Sequence, residues 1–249
     1  MTFDAIRLQS WYGSDQGKTV VRLLNGVMER WVRHIPARQT CGLGFTQPYL
    51  DKLAPHLGRC VGASPAEMGV SLWPQGKNNR IAQVRPDALP FPDQHFNRVI
   101  VAHLLEGASS SRGILREVWR ILEPGGRVLI VVPNRGGLWA RRDFTPFGWG
   151  QPFSPGQIRN ALHDSFFVPK QSCFALFQPP VKGNRWLGSA PSWEKAGNRW
   201  FAPLGGVILC EAEKIVCAQS PLNAEIDRVR QSVTKPLTVV ERSAHQERK

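Results

Sequence analysis

Two stretches of this chain carry residue types that could do chemistry. The first is Thr40-Cys41-Gly42-Leu43-Gly44-Phe45-Thr46, in which two glycines stand one residue apart after a short apolar run. A Gly-x-Gly turn between a strand and a helix lets a ligand approach the backbone, because no Cβ blocks it. A nicotinamide fingerprint would need a third glycine at position 47, which is Gln47. The second is His103, which closes the apolar run Asn97–His103, with Glu106 three residues on as a polar neighbour. A histidine titrates near neutrality and can serve as a general base, or it can simply close a strand by bonding to backbone.

A third group follows position 133. Asn134, Arg135, Trp139, Arg141, Arg142, Phe144, Phe147 and Trp149 interleave cations with rings. That mixture suits phosphate contact plus stacking on bases. It equally suits an anionic lipid or small molecule, or a basic lid folded on its own core. The five cysteines, Cys41, Cys60, Cys173, Cys210 and Cys217, are scattered with no CxxC pair, so neither a disulfide framework nor a metal site is expected.

These residues need elements to hold them. Apolar residues at Val20, Leu23, Leu24, Val27, Met28 and Trp31 have helical spacing, so an amphipathic helix is predicted over 17–34, ended by Pro36. Strands are predicted at 38–42, 59–63, 80–84, 97–103 and 127–132, the last a continuous apolar run of the kind a buried parallel sheet contains. Thr46 is read as a helix N-cap with Pro48 in the first turn, a helix is predicted over 109–122, and Glu123–Gly126 reads as a tight turn. Ser154–His163 reads as a capped helix, and 172–177 and 207–216 as two final strands. The alternation implies a doubly wound, Rossmann-like α/β sheet of about seven strands with helices on both faces. Trp186, Trp193 and Trp200 recur every seven residues and could share one helical face, with a fresh start at Pro191.

The organisation expected is a helical extension over 1–36 and one domain over 37–218. That domain contains a substrate-side loop at 133–153 and a Trp-rich insertion at 179–203. A polar tail over 219–249 is read as disordered. The 249 residues, 42% hydrophobic, suffice for one full α/β core. The formal net charge of +13 points to an anionic partner: nucleic acid, an acidic membrane surface or an acidic protein. No apolar run is long enough for a membrane span, and no secretory h-region opens the chain. With unpaired thiols, the expected compartment is the cytoplasm.

Leu89-Pro90-Phe91-Pro92-Asp93, then Phe96–Val99, then LREVWRILEPGGRVLIVVPN (Leu115–Asn134), resemble class I S-adenosylmethionine-dependent methyltransferases of the type 11 group. The likeness covers about residues 38–180. The chain also resembles uncharacterised bacterial methyltransferase-domain proteins that keep the GLG turn and the VVPNRxGLWAR stretch. The resemblance implies a seven-stranded sheet with its last strand antiparallel, S-adenosylmethionine as cofactor, and an acceptor that could be a small molecule, RNA or protein. It implies that Gly42 and Gly44 form the cofactor turn, and that Thr40 stands where an acidic residue usually helps hold the methionine end. It places Ser64 near the ribose, where a carboxylate is usual. Losing a charged hydrogen bond there costs about 1.5–3 kcal/mol. Asp87, Ala88 and Leu89 would meet the adenine, unless Asp87 is only a turn residue. The two missing acidic positions leave a second reading open: a non-catalytic binding or scaffold protein on this fold.

Overall fold

The computed structural model describes residues 3–181 and 190–216. It opens with two helices. Helix α1 (Ala5–Gly13) starts at Asp4, whose carboxylate accepts the Ile6 N–H at 2.7 Å. Ser14 ends α1 and begins α2 (Asp15–Val32), its hydroxyl accepting the Gly17 N–H at 3.1 Å. A Cβ at position 17 would lie 2.3 Å from the Trp11 carbonyl oxygen, so glycine is required for this tight corner. The sequence reading contained α2 but not α1. The helix also stops at Val32 rather than running to Pro36, because Arg98 takes over its end. The Arg98 guanidinium, fully buried, donates to the Val32 and Ile35 carbonyls at 3.4 and 3.0 Å.

Seven strands form one sheet: β1 (Gln39–Gly44), β2 (Arg59–Pro65), β3 (Ile81–Val84), β4 (Phe96–Ala102), β5 (Leu122–Pro133), β6 (Phe167–Ala175) and β7 (Val207–Lys214). Their order is β3-β2-β1-β4-β5-β7-β6. The first five are parallel, and β7 runs antiparallel between β5 and β6. The expected doubly wound sheet is thus present. Successive side chains of a strand face opposite ways. Ile100 and Ala102 of β4 join the core under α1, α2 and α3 (Gln47–Leu57), while Val99 and Val101 join the core under α4 (Ser111–Ile121) and α5 (Pro155–His163).

Several boundaries differ from the sequence reading for physical reasons. Both glycines of the GLG turn lie inside β1, which pairs with β2 and β4 as far as Leu43 and Gly44. Thr46 makes no side-chain capping bond, because its hydroxyl is packed over Gly42 instead. The turn at Glu123–Gly126 is absorbed into β5, since Leu122 already pairs with Phe96 and the register shifts before Arg98. Helix α6 (Ala190–Trp200) starts afresh beside Pro191, and Trp200 at its end is exposed. Trp186, Cys217 and the tail at 219–249 lie outside the described residues. No helix among those residues is long and apolar enough to cross a membrane, and no metal-binding cluster of His, Cys, Asp or Glu occurs among them. The four described cysteines are free.

Gly44 is the position where the fold tolerates least change. Its φ is +88°, and a Cβ there would lie 2.2 Å from the Ala102 carbonyl oxygen. Gly44→Ala is expected to cost about 2–4 kcal/mol. Gly125→Ala, also at positive φ (+73°) but facing open space, is expected to cost only about 1–2 kcal/mol. Urea unfolding of both variants checks the difference.

Candidate functional site

At the carboxyl edge of the parallel strands, β1 and β4 part to opposite faces of the sheet. Ligands of open α/β sheets bind at such a switch point. His103 stands there, directly after β4, with φ of +52° and almost no solvent exposure. A non-glycine residue held at positive φ is strained, and such strain concentrates at functional sites. Helix α1 lies over it. The Tyr12 hydroxyl is 2.6 Å from His103 Nε2 and 2.7 Å from the Tyr49 hydroxyl. On the other side, His103 Nδ1 approaches Glu106 Oε1 at 3.3 Å.

The donors in this buried chain can be ordered by elimination. Glu106 faces Nδ1 without hydrogen-bond geometry, and as a carboxylate it draws the proton to that nitrogen by charge. Nε2 is then an acceptor, Tyr12 donates to it, and Tyr49 donates to Tyr12. Burial, then the adjacent Tyr49, holds the Tyr12 phenol well above its ordinary value; burial does the same for Tyr49. Both phenols therefore stay neutral at physiological pH. Rings close the site: Phe147 and Phe3 stand 5.1 and 5.8 Å from the imidazole, and Tyr12 stacks on Phe45 at 5.6 Å. Glu106 Oε2 is left without a partner, and the Glu106 carbonyl accepts the Gln151 N–H at 2.7 Å.

Next to His103 is a cavity of about 240 Å³ at the ends of β2, β3 and β4. Pro65, Glu67, Met68, Pro86, Leu104 and Ile114 line it, with Phe3 of the N-terminal segment. The residues expected to hold a cofactor are arranged otherwise. The Thr40 hydroxyl is buried and donates to the Leu57 carbonyl at 2.8 Å. A Cβ at Gly42 would strike Thr46 and Leu50, so this glycine serves the packing of α3 on β1. Ser64 donates to the Gly69 carbonyl at 2.7 Å. Asp87 is half exposed and paired with Arg85 at 3.1 Å. The Ala88 N–H is bonded to the Arg85 carbonyl, and the Leu89 N–H to Glu117 at 2.8 Å. Of the residues singled out, His103 alone lines the cavity. Glu67, in the short turn after β2, lines it as well.

Residues 39–130 match the family model described as a methyltransferase domain. That match bears out, over this segment, the resemblance to the type 11 methyltransferase group. An uncharacterised protein of Mycobacterium tuberculosis is 26% identical over 191 residues, 71% of this chain and 63% of that protein. The chain thus spans under two thirds of that relative. A ubiquinone/menaquinone biosynthesis C-methyltransferase of Hahella chejuensis is 41% identical over 56 residues, 22% of each chain. Among solved structures, an S-adenosylmethionine-dependent methyltransferase from Thermotoga maritima superposes with a TM-score of 0.56, covering 83% of this chain and 93% of its own at 16% identity. That last likeness is one of fold.

Beyond the matched segment, the 133–153 loop separates into two layers. Its rings turn inward: Trp139 is fully buried and donates to the Gln178 carbonyl at 2.8 Å, Phe147 packs on His103, and Trp149 donates to the Asp143 carbonyl. Asn134 is buried too, bonded to the Pro203 and Gly205 carbonyls at 2.9 and 2.7 Å. Arg135, Arg141 and Arg142 stay exposed. These three rings form no stacking surface; the loop has the form of a basic lid folded on its own core, one of the alternatives read from the sequence, because the rings gain more from burial. The residues that reading missed are Tyr12 and Tyr49. For Tyr12 the signal was present: Asp4 and Ser14 bracket Leu8, Trp11 and Tyr12, which have helical spacing.

The buried relay yields a prediction. The chain has only two tyrosines, so absorbance near 295 nm reports on this pair alone. Unfolded tyrosine ionises near pH 10. Because both folded values are raised, their contribution to stability is fully present below about pH 10 and is lost as pH climbs through the folded values. Tyr12→Phe removes two buried hydrogen bonds and should cost about 1–3 kcal/mol at pH 8. The variant should also lose less stability than the wild type between pH 8 and 10.5, as urea titrations at both pH values would show.

Proposed function

We propose that the protein is an S-adenosylmethionine-dependent methyltransferase acting on an anionic acceptor. The observation that carries this reading is the cavity beside His103, at the switch point of a methyltransferase-type sheet. Its residues fit the nucleoside end of the cofactor. Met68, Leu104, Ile114 and Pro86 offer apolar walls for a purine, and the Glu67 carboxylate offers an acceptor for ribose hydroxyls. At about 240 Å³ it is smaller than the roughly 300–1,000 Å³ of a pocket that encloses a whole ligand. The amino-acid end would fall toward Gly44, where Tyr12 and Phe45 stack. Helix α1 is then the element that must adjust around it.

When bound, the cofactor supplies a methyl group on a sulfonium already primed to leave. What the chain contributes is position, exclusion of water and a place for a proton. His103, backed by Glu106, can hold a proton released by the acceptor and passed through Tyr12. The net charge of +13 and the exposed Arg135, Arg141 and Arg142 favour an acceptor with negative charge. Free, buried thiols suit the reducing cytoplasm.

The competing reading is a non-catalytic binding protein. It is favoured by one observation: Thr40 and Ser64 spend their hydroxyls on backbone carbonyls of the fold itself. Calorimetric titration with S-adenosylmethionine and S-adenosylhomocysteine separates the two. The enzyme reading expects micromolar binding, weakened about ten- to a hundredfold by Glu67→Gln and left within about twofold by Asp87→Ala. No heat from a folded protein at millimolar ligand would establish the competing reading instead.

A further inference from the structure

A groove runs along the outer side of Tyr12, between α2, α3 and the segment Ser71–Lys77. It consists of two adjoining cavities of about 670 and 500 Å³, which share Tyr12, Pro48 and Asp51. Asn25 lines the first and Gln47 the second. Both side chains are more than nine-tenths buried, and neither the nitrogen nor the oxygen of either carboxamide has a hydrogen-bond partner. A buried polar group left unpaired destabilises a fold, so four such atoms along one groove call for an explanation.

A bound nucleotide supplies one. A carboxamide presents a donor and an acceptor side by side, the pattern that a base edge completes, adenine N6–H and N7 above all. Trp73 walls the same cavity as Gln47, its largely buried indole fixed by a 2.8 Å hydrogen bond to Asp51, and gives a bound ring an apolar contact. Lys18, Arg22, Lys52 and Lys77 stand exposed around the groove and form no ion pair among the described residues. The two carboxylates of the groove are engaged: Asp51 accepts from Trp73, and Glu29 is paired with Arg33 and His56.

We propose that this groove binds a nucleotide, its base read by Gln47, its sugar met by Asn25 and its phosphate held by the surrounding lysines. The inference does not rest on the methyltransferase reading, because the groove and the cavity beside His103 have no lining residue in common. The same chemistry would serve a free nucleotide or one unit of a single-stranded RNA.

The test is calorimetric titration with AMP and with a short oligoadenylate, at two salt concentrations. Wild-type protein should bind, and Gln47→Leu and Asn25→Leu should each weaken binding at least about tenfold. Their melting temperatures should not fall, since each replaces an unpaired amide by an apolar group. Lys52→Ala/Lys77→Ala, a surface change that cannot disturb the core, should weaken binding and flatten its salt dependence. Glu67→Gln should leave it unchanged. Much tighter binding of the oligonucleotide than of AMP would identify RNA as the source; equal binding would identify the free nucleotide. The proposal is overturned if neither probe binds at millimolar concentration, if both amide variants bind like wild type, or if Glu67→Gln abolishes binding.

Discussion

The hydrogen bond from the Phe45 N–H to the Ala102 carbonyl, 2.9 Å long, joins β1 to β4 just where the chain leaves both strands. It can form only because Gly44 has no side chain to meet that carbonyl. From this close approach the rest of the site follows. Phe45 and His103 emerge side by side, and His103 is bent into positive φ. Tyr12 can then stack on the one and hydrogen-bond to the other. Helix α1 is seated by those two contacts, and the rings of the 133–153 loop close behind them.

This gives the Gly-x-Gly turn a role in the protein's own architecture. Gly42 makes room for α3, and Gly44 makes room for β4. Neither glycine lines the cavity beside His103 or the groove beside Tyr12. Carboxylates stand elsewhere at this edge of the sheet: Glu67 in the short turn after β2, and Glu106 in the turn after β4. A carboxylate displaced by a few residues along the sequence can return to the same region in space when the intervening backbone turns sharply, as it does at the 3-10 turn Ala66–Met68.

What could be read in the sequence was the part set by local periodicity. The runs RVLIVV and NRVIVAH announced β5 and β4, because strands buried on both faces are apolar throughout. The stripe Ile114, Leu115, Val118, Ile121 announced α4. What escaped was set by contacts between distant segments. Residues 5–13 form a short helix whose value lies in reaching Tyr49 and His103, 37 and 91 residues away. The inward turn of Trp139 and Trp149 was equally hidden, since an aromatic residue between arginines has the same local pattern whether its ring faces solvent or core. Asp87 illustrates the converse: its position after β3 was read correctly, yet Arg85, two residues before, engages its carboxylate.

Arg98 has a further consequence. Its guanidinium sits inside the sheet's helical layer, and the carbonyls it satisfies belong to the end of α2. Burial depresses its basicity, and the nearby Glu211 opposes that while Arg127 adds to it. A chain shortened to begin at β1 would keep the buried cation and lose its ligands, while stripping Leu24, Met28 and Leu8 from the shared core. The first 36 residues are therefore a wall of the same core that supports the sheet, and the buried charge at position 98 ties the two together.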